Sequence, residues 1–169
     1  MNIKKLTLTA IFAAMSIALS TLESLVPIGA VIPIPGLRLG IANLAIMGAY
    51  FIIGRRYAAF VGILKVMAVF LTFGNVTSFA ISLCGTAFAF LSLILSEKAN
   101  FKLITFIGVS AFSAVCHATG QIICACLLTG SYACFAVLLP LGLCSIITGA
   151  ITGFILNLIY PIIKKRIVL

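Results

Sequence analysis

Acidic side chains are almost missing from this sequence. Glu23 and Glu97 are the only two acids among 169 residues, and aspartate does not occur. Magnesium-dependent diphosphate chemistry needs clustered carboxylates, which two distant residues cannot supply. A Ser-His-Asp triad needs an aspartate, a metal triad needs more than the one histidine, and ATP binding of the usual kind needs a P-loop motif that is absent. We therefore predict no catalytic residue, no metal site and no cofactor, and we expect that this chain alone is not an enzyme.

Charge of either sign is scarce. Charged residues make up 8% of the chain, against about 25% in an ordinary soluble domain, and the mean hydropathy is +1.38. Backbone groups in lipid must be satisfied within the segment, and long unbroken apolar runs do not alternate as barrel strands do. The sequence predicts an all-α, polytopic membrane protein forming one domain over residues 1–169, with room for roughly six helices of about 20 residues.

Six apolar runs divide the chain. We predict spans at residues 6–26, 37–53, 57–73, 78–95, 101–128 and 133–159. Basic residues cluster at the edges of these runs, which follows the positive-inside rule and argues against binding to nucleic acid. A cytoplasmic N-terminus and six crossings place both termini, and all but two of the eleven basic residues, on the cytoplasmic side of a bacterial cytoplasmic membrane. The clusters are Lys4/Lys5, Arg55/Arg56, Lys98/Lys102 and Lys164/Lys165/Arg166.

The stretch from Ile32 to Asn43, IPIPGLRLGIAN, interrupts the apolar pattern. Two prolines and a glycine prevent a regular helix up to Gly36. We predict a re-entrant or loop-to-helix corner at the outer face, with Arg38 and Asn43 already inside the helix that follows. Because a cation and an amide in such surroundings need a partner or a purpose, this corner is predicted to form the mouth of a binding cavity.

Three further polar residues are predicted to share the outer half of the bundle with the corner. Lys65 lies near the middle of the third span, and His117 and Gln121, four residues apart, share one face of the fifth. Ionisable groups inside a membrane mark functional sites, although a lone histidine is also compatible with a structural hydrogen bond. Glu23 would join this group or would neutralise one of its cations. Because the cations outnumber Glu23, we expect an anionic or hydrogen-bond-rich ligand.

Small residues recur at a spacing of four in the first apolar run. Ala10, Ala14 and Ala18 would form a flat strip that another helix can approach closely. Docking of a separate membrane subunit and packing inside this bundle both fit the pattern. The basic start of the run also resembles a signal peptide, but five further apolar runs favour a retained helix. Gly149 and Gly153 predict a second close helix contact.

Cysteine and proline add two smaller predictions. The six cysteines lie mostly within apolar runs and form no Cys-x-x-Cys pair, so we expect small apolar core residues, with a metal or redox site as the alternative. Pro140 predicts a kink in the last span. The cysteines are Cys84, Cys116, Cys124, Cys126, Cys134 and Cys144.

Two motifs, PGLRLGIAN at Pro35–Asn43 and AVCHATGQ at Ala114–Gln121, resemble those of the bacterial Gx transporter family, also labelled heptaprenyl diphosphate synthase component I. The likeness runs over nearly the whole chain. That family is similar to the substrate-binding S components of energy-coupling factor (ECF) transporters, which are six-helix membrane proteins. The resemblance implies capture of a vitamin-like molecule outside, and docking through an Ala-x-x-x-Ala strip on a shared transmembrane subunit driven by two ATPases. Ala10, Ala14 and Ala18 match that strip.

These observations support three hypotheses. The first is an S-component-like capture subunit in the lipid bilayer, which takes up a small vitamin-like or metabolite solute and is energised by a separate ATPase module. The second is a non-catalytic membrane partner of an isoprenoid or quinone enzyme, and it predicts an apolar groove open sideways to lipid. The third is a membrane scaffold for an extracytoplasmic flavin or redox system. In the first, the substrate-binding residues are Arg38, Asn43, Lys65, His117 and Gln121.

Overall fold

The computed structural model describes residues 3–25, 38–98 and 105–166, and all regular structure within them is helical. This confirms the all-α fold class. Residue 26, the part of the corner from Ile32 to Leu37, and residues 101–104, which the sequence predictions include, lie outside the described residues. The helices are α1 (Ile3–Leu25), α2 (Asn43–Ile52), α3 (Arg55–Phe73), α4 (Val76–Lys98), α5 (Phe106–Thr129) and α6 (Leu138–Arg166), with a 3-10 helix (Tyr132–Val137) before α6.

Four of these helices, α1, α4, α5 and α6 with its preceding 3-10 turn, are long and apolar enough to cross a membrane. α2 has 10 residues, so it extends about 15 Å, roughly half the hydrocarbon thickness of a bilayer. α3 has 19 residues and is long enough, but it carries Arg55, Arg56 and Lys65. The helix lengths and composition support a polytopic membrane protein, and the number of six crossings stays a prediction.

The helix after the proline-rich corner starts later than the sequence predicts. α2 begins at Asn43, and Arg38 lies in the loop before it, so the placement of Arg38 inside the helix is wrong. The physical reason is Gly40, whose φ of 88° lies in the left-handed region that glycine adopts without steric penalty. A right-handed helix cannot pass through that conformation, and the chain stays non-helical up to Ala42.

The last helix also starts differently from the prediction. Tyr132–Val137 form a 3-10 helix, and the α-helix begins at Leu138. Pro140 therefore lies in the first helical turn. The N–H groups of this turn have no acceptor within the helix, so a proline, which lacks the N–H, removes no hydrogen bond there. The kink predicted at Pro140 is wrong because this proline helps to start α6 rather than interrupting it.

Two glycines allow α6 to pack directly on the backbone of α5. A Cβ atom added to Gly153 would lie 2.6 Å from the Cα atom of Ile107, and one added to Gly149 would lie 2.7 Å from the Cα atom of Ala111. No side chain fits at such distances. The predicted small-residue contact is confirmed, and it joins the two longest described helices by close backbone approach.

Basic residues collect at one end of the bundle. Arg55 at the start of α3 forms an ion pair of 2.9 Å with Glu97 at the end of α4, and Tyr50 near the end of α2 donates a hydrogen bond to the same carboxylate. Successive aromatic contacts through Phe51 and Phe106 then lead to Tyr160 near the end of α6. We call this the basic end, and it is defined by Arg55, Arg56, Lys98, Lys164 and Lys165.

The glycine contact between α5 and α6 gives a stability prediction. Gly153→Ala should lower the stability of the folded protein by about 1–3 kcal/mol, because overpacking forces the two backbones apart. The measurement is thermal unfolding of the purified protein in detergent. Gly142→Ala is the matched control on the same helix, since no atom lies within 4 Å of its added Cβ. Equal shifts for the two variants would contradict the contact.

Candidate functional site

Residues 38–42, called loop 38–42 below, form a non-helical segment packed between helices. Such a backbone inside a membrane bundle must find its hydrogen-bond partners within the protein. α1 supplies one of them here, because the Glu23 carboxylate accepts the N–H of Ile41. The Ser20 hydroxyl of the same helix accepts a hydrogen bond from the Arg38 guanidinium, which holds the side chain of the loop. Glu23 and Arg38 are 4% and 5% exposed. The carboxylate also lies at the N-terminal end of α2, where the helix dipole favours a negative charge.

Two hydroxyl groups bind carbonyl oxygens of the same loop. Ser16 of α1 donates to the carbonyl of Ala42 at 3.3 Å, and Thr148 of α6 donates to the carbonyl of Leu39 at 3.3 Å. A buried carbonyl without a partner would cost about 1–3 kcal/mol. Loop 38–42 is therefore held by side chains from helices that lie far apart in the sequence.

α5 holds the loop through Gln121. Its Oε1 atom accepts the backbone N–H of Arg38 at 3.1 Å, and its Nε2 atom lies 2.7 Å from Nε2 of His117. Because a backbone N–H can only donate, the Gln121 oxygen must face Arg38 and the amide nitrogen must face the histidine. His117 Nε2 is therefore an acceptor, and the proton of the neutral ring lies on Nδ1.

α4 contacts this region through a glycine, Gly85, whose missing side chain leaves room for two neighbouring side chains. A Cβ atom added to Gly85 would lie 2.8 Å from Cε1 of His117 and 2.8 Å from Cγ of Gln121. Glycine at this position lets the imidazole ring and the amide side chain pack against the α4 backbone. The orientation of both side chains therefore depends on the missing Cβ atom.

Lys65 enters the same region from α3. Its Nζ atom lies 3.5 Å from Oδ1 of Asn43, and the side chain is fully buried. Asn43 and His117 flank the loop, since a Cβ atom added to Gly40 would lie 3.3 Å from Asn43 Nδ2 and 3.3 Å from His117 Cδ2. We call this assembly the polar cluster, and it consists of Glu23, Arg38, Asn43, Lys65, His117 and Gln121.

Three polar atoms of the cluster have hydrogen-bonding capacity left over. Glu23 Oε2, Asn43 Nδ2 and His117 Nδ1 are buried and make no hydrogen bond of ordinary geometry with the described residues, although His117 lies beside the Gly85 backbone and Glu23 beside the Ala42 backbone. Buried polar atoms in folded proteins nearly always have partners. One of the three is an acceptor and two are donors. The cluster thus offers both kinds of group at once, in a region with two cations and one anion.

All five residues predicted to bind substrate meet in this cluster, although they come from the loop, α2, α3 and α5. Glu23 also lies in the cluster, where its carboxylate accepts a hydrogen bond from the loop backbone. Their convergence is a finding, and their role in binding stays a prediction. The predicted partner strip lies elsewhere: Ala10, Ala14 and Ala18 are exposed on the face of α1 that points away from the cluster.

Several residues that build the cluster were not predicted from the sequence. Ser16 and Ser20 lie with Glu23 on the buried face of α1, and this polar stripe at helical spacing is a signal that sequence reasoning could have used. Thr148 gives no such signal, because a threonine in an apolar helix commonly bonds to its own backbone. The contact of Gly85 with the histidine ring depends on helix packing and has no sequence signature of its own.

An apolar groove, called the α3–α4 groove, lies on the outside of the bundle between these two helices. It has a volume of about 150 Å³. Small side chains open the space, namely Ala59 and Gly62 on α3 and Ala87 on α4. Ile63 and Leu83 form its edges and are 55% and 44% exposed. The groove therefore opens sideways, toward the region that lipid occupies around a membrane protein.

The six cysteines are all free. Cys124 and Cys126 belong to buried apolar clusters, which agrees with the core role expected for them, whereas Cys144 is exposed. The Cys124 thiol lies beside Cys84, and the Cys126 thiol lies beside Cys134. Within the described ranges, no group of three or more His, Cys, Asp or Glu side chains is placed to hold a metal ion.

The packing of Gly85 against the histidine gives a second prediction. Gly85→Ala should destabilise the protein by about 1–3 kcal/mol, because the new methyl group overlaps the ring and the glutamine side chain. In a His117→Ala background the same substitution should cost less, and the coupling energy should be about 0.5–3 kcal/mol. Thermal unfolding of the four proteins in this cycle measures it. An equal loss of stability in both backgrounds would contradict the contact.

Comparison with known proteins identifies one family. Residues 12–159 match the family described as heptaprenyl diphosphate synthase component I, which covers the polar cluster, the α3–α4 groove and most of the alanine strip. No curated protein and no solved structure is significantly similar to the chain. The match extends over most of the sequence, and the chain therefore belongs to the heptaprenyl diphosphate synthase component I family.

Proposed function

We propose that this protein is a membrane-embedded capture subunit that binds a small anionic solute in the polar cluster and delivers it with the help of a separate ATPase module. The observation that carries the proposal is the convergence of Arg38, Lys65, His117 and Gln121 from separate segments into one buried cluster. Such a concentration of polar groups in an otherwise apolar bundle is unusual unless it serves a ligand or an ion.

The charge of the cluster favours an anion. Arg38 and Lys65 are buried with a single acid, Glu23. The only other acidic side chain in the sequence is Glu97, and it is occupied by Arg55 at the basic end. No further acidic side chain of this chain can balance the surplus, and a buried charge without compensation is strongly unfavourable. A bound anion supplies the missing charge.

The unused hydrogen-bonding atoms refine the expected ligand. Asn43 Nδ2 and His117 Nδ1 donate, so they suit the acceptor oxygens of a carboxylate, a phosphate or a ring carbonyl. Glu23 Oε2 accepts, so it suits an N–H or O–H group on the same molecule. A small metabolite that carries both an anionic or carbonyl oxygen and a donor group fits this set better than a simple inorganic anion.

The two faces of α1 give a physical basis for docking on a partner. Its buried face holds loop 38–42 through Ser20 and Glu23. Its exposed face carries the strip of Ala10, Ala14 and Ala18, whose small side chains would let a helix of a shared transmembrane subunit approach closely. In this proposal the strip is the partner interface, and α1 connects that interface with the binding site.

The proposed orientation follows from the basic end. Positive side chains near the ends of spanning helices favour the cytoplasm, and the basic end gathers such residues from α3, α4 and α6. The polar cluster lies toward the opposite end of α1 and α5, so it would open to the outside of a bacterial cytoplasmic membrane. The proposed cycle is capture outside, docking through the strip, reorientation and release inside.

The role of Lys65 gives a direct test. Lys65→Met keeps most of the side-chain volume but removes the charge, so a metabolite that co-purifies with the unchanged protein should be lost. Mass spectrometry of the denatured sample measures the retained metabolite. Lys98→Met, at the basic end, is the control and should retain it fully.

A purely structural Lys65 would behave differently. Replacing a buried charge with an apolar side chain is often neutral or stabilising, so we expect the thermal stability of ligand-free Lys65→Met to match or exceed that of the ligand-free unchanged protein. A drop in stability without a change in retained metabolite would contradict the proposal. Undiminished retention in an Arg38→Ala, His117→Ala double variant would contradict it as well.

The α3–α4 groove favours a second candidate, a non-catalytic membrane partner of an isoprenoid enzyme. That hypothesis predicts an apolar groove open sideways to lipid, and the description of the family names a component of a prenyl diphosphate synthase. In this candidate the groove would receive the apolar tail of the product. Pull-down from the native membrane separates the two proposals. Recovery of a prenyl synthase without transporter ATPases favours the partner role, and recovery of transporter ATPases without a prenyl synthase favours solute capture.

A further inference from the structure

The α3–α4 groove runs toward the basic end of the bundle. On α3 its lining extends from Ala58 to Val66, which is about 12 Å along the helix axis. Arg56 precedes Ala59 by three residues and Ile63 by seven, so all three lie on one face of α3. The apolar groove therefore continues into a basic side chain at the level where α3 begins.

α4 brings a second positive group to the same place. Its groove residues Ala87 and Phe90 precede Lys98 by eleven and eight residues, a spacing that returns to the same side of a helix. Glu97 lies beside Lys98, but its carboxylate is held by Arg55 in an ion pair. The groove lining itself is uncharged, but the helix ends toward which it runs carry three cations and one anion, which gives that end a net positive charge.

Arg56 is available for a ligand at this end of the bundle. Its side chain is exposed, and it makes no ion pair or hydrogen bond with the other described residues. An arginine offers a planar set of donors that matches the oxygens of a phosphate group. Basic residues between helices at the cytoplasmic surface of a membrane bind the head groups of anionic lipids in the same way.

We propose that Arg56 and the α3–α4 groove together form a binding site for an anionic phospholipid, with the phosphate at Arg56 and one acyl chain in the groove. Charge complementarity sets the head group, since a zwitterionic lipid would bring its own cation next to Arg55, Arg56 and Lys98. The small residues Ala59, Gly62 and Ala87 set the position of the chain. This site is separate from the polar cluster and does not depend on the proposed transport function.

The test uses the full-length protein, reconstituted from detergent into vesicles of equal parts phosphatidylglycerol and phosphatidylcholine and then re-isolated. Mass spectrometry of the retained lipid should show an excess of phosphatidylglycerol. Arg56→Gln should reduce that excess about fivefold, which corresponds to the loss of about 1 kcal/mol for one basic residue near the lipid surface. Lys165→Gln, which removes a charge at the same end but away from the groove, should leave the excess unchanged.

The groove is tested separately from the charge. Ala87→Phe fills the space and should release the bound phosphatidylglycerol, whereas Ala136→Phe, the same substitution at an exposed position of the 3-10 helix, should not. Thermal unfolding of each variant shows that it is folded, and Arg56→Lys should retain part of the excess. Equal retention of the two lipids by the unchanged protein would overturn the proposal, as would displacement of the lipid by 10-fold excess inorganic phosphate or equal effects of the test and control variants.

Discussion

The backbone of loop 38–42 is the constraint on which the rest of this structure depends. Five residues precede α2 outside any regular helix, and in an apolar bundle their N–H and C=O groups must find partners within the protein. The protein meets this demand with side chains. Glu23 accepts one backbone N–H and Gln121 accepts another, and the hydroxyl groups of Ser16 and Thr148 donate hydrogen bonds to two carbonyl oxygens. Because these side chains come from α1, α5 and α6, satisfying one loop fixes the relative position of three helices.

This demand explains only part of the polar cluster. Loop 38–42 uses one oxygen of Glu23 and the Oε1 atom of Gln121, but it uses neither Lys65 nor Nδ1 of His117. Lys65 donates its hydrogen bond to the side chain of Asn43 rather than to the loop backbone. The residues that support the loop and the residues left for a ligand are therefore distinguishable, and the ligand hypothesis rests on the second group.

The sequence predicts the membrane class, the helical fold and the members of the cluster because charge and polarity are rare in it. In a chain with 8% charged residues, Arg38 and Lys65 are conspicuous, and the spacing of His117 and Gln121 is readable from helix geometry alone. The start of α2 was not predictable in the same way, because it depends on the backbone angle of Gly40. The Gly85 contact and the α3–α4 groove depend on how helices meet, which no local pattern encodes.

The spacing of residues on α1 has a mechanical consequence. The buried hydroxyls at Ser16 and Ser20 and the exposed alanines at 10, 14 and 18 all repeat every four residues. A screw displacement of α1 by four residues, about 6 Å along its axis, would bring Ser20 to the place of Ser16, Ala18 to that of Ala14 and Ala14 to that of Ala10. The exposed face would then meet equivalent groups, but the buried face would not, because Ser16 would replace the Phe12 ring that packs on Gly48 and Glu23 would take the place of Leu19. Phe12 and Glu23 therefore fix a single register for α1, although its hydroxyls and alanines alone would allow two.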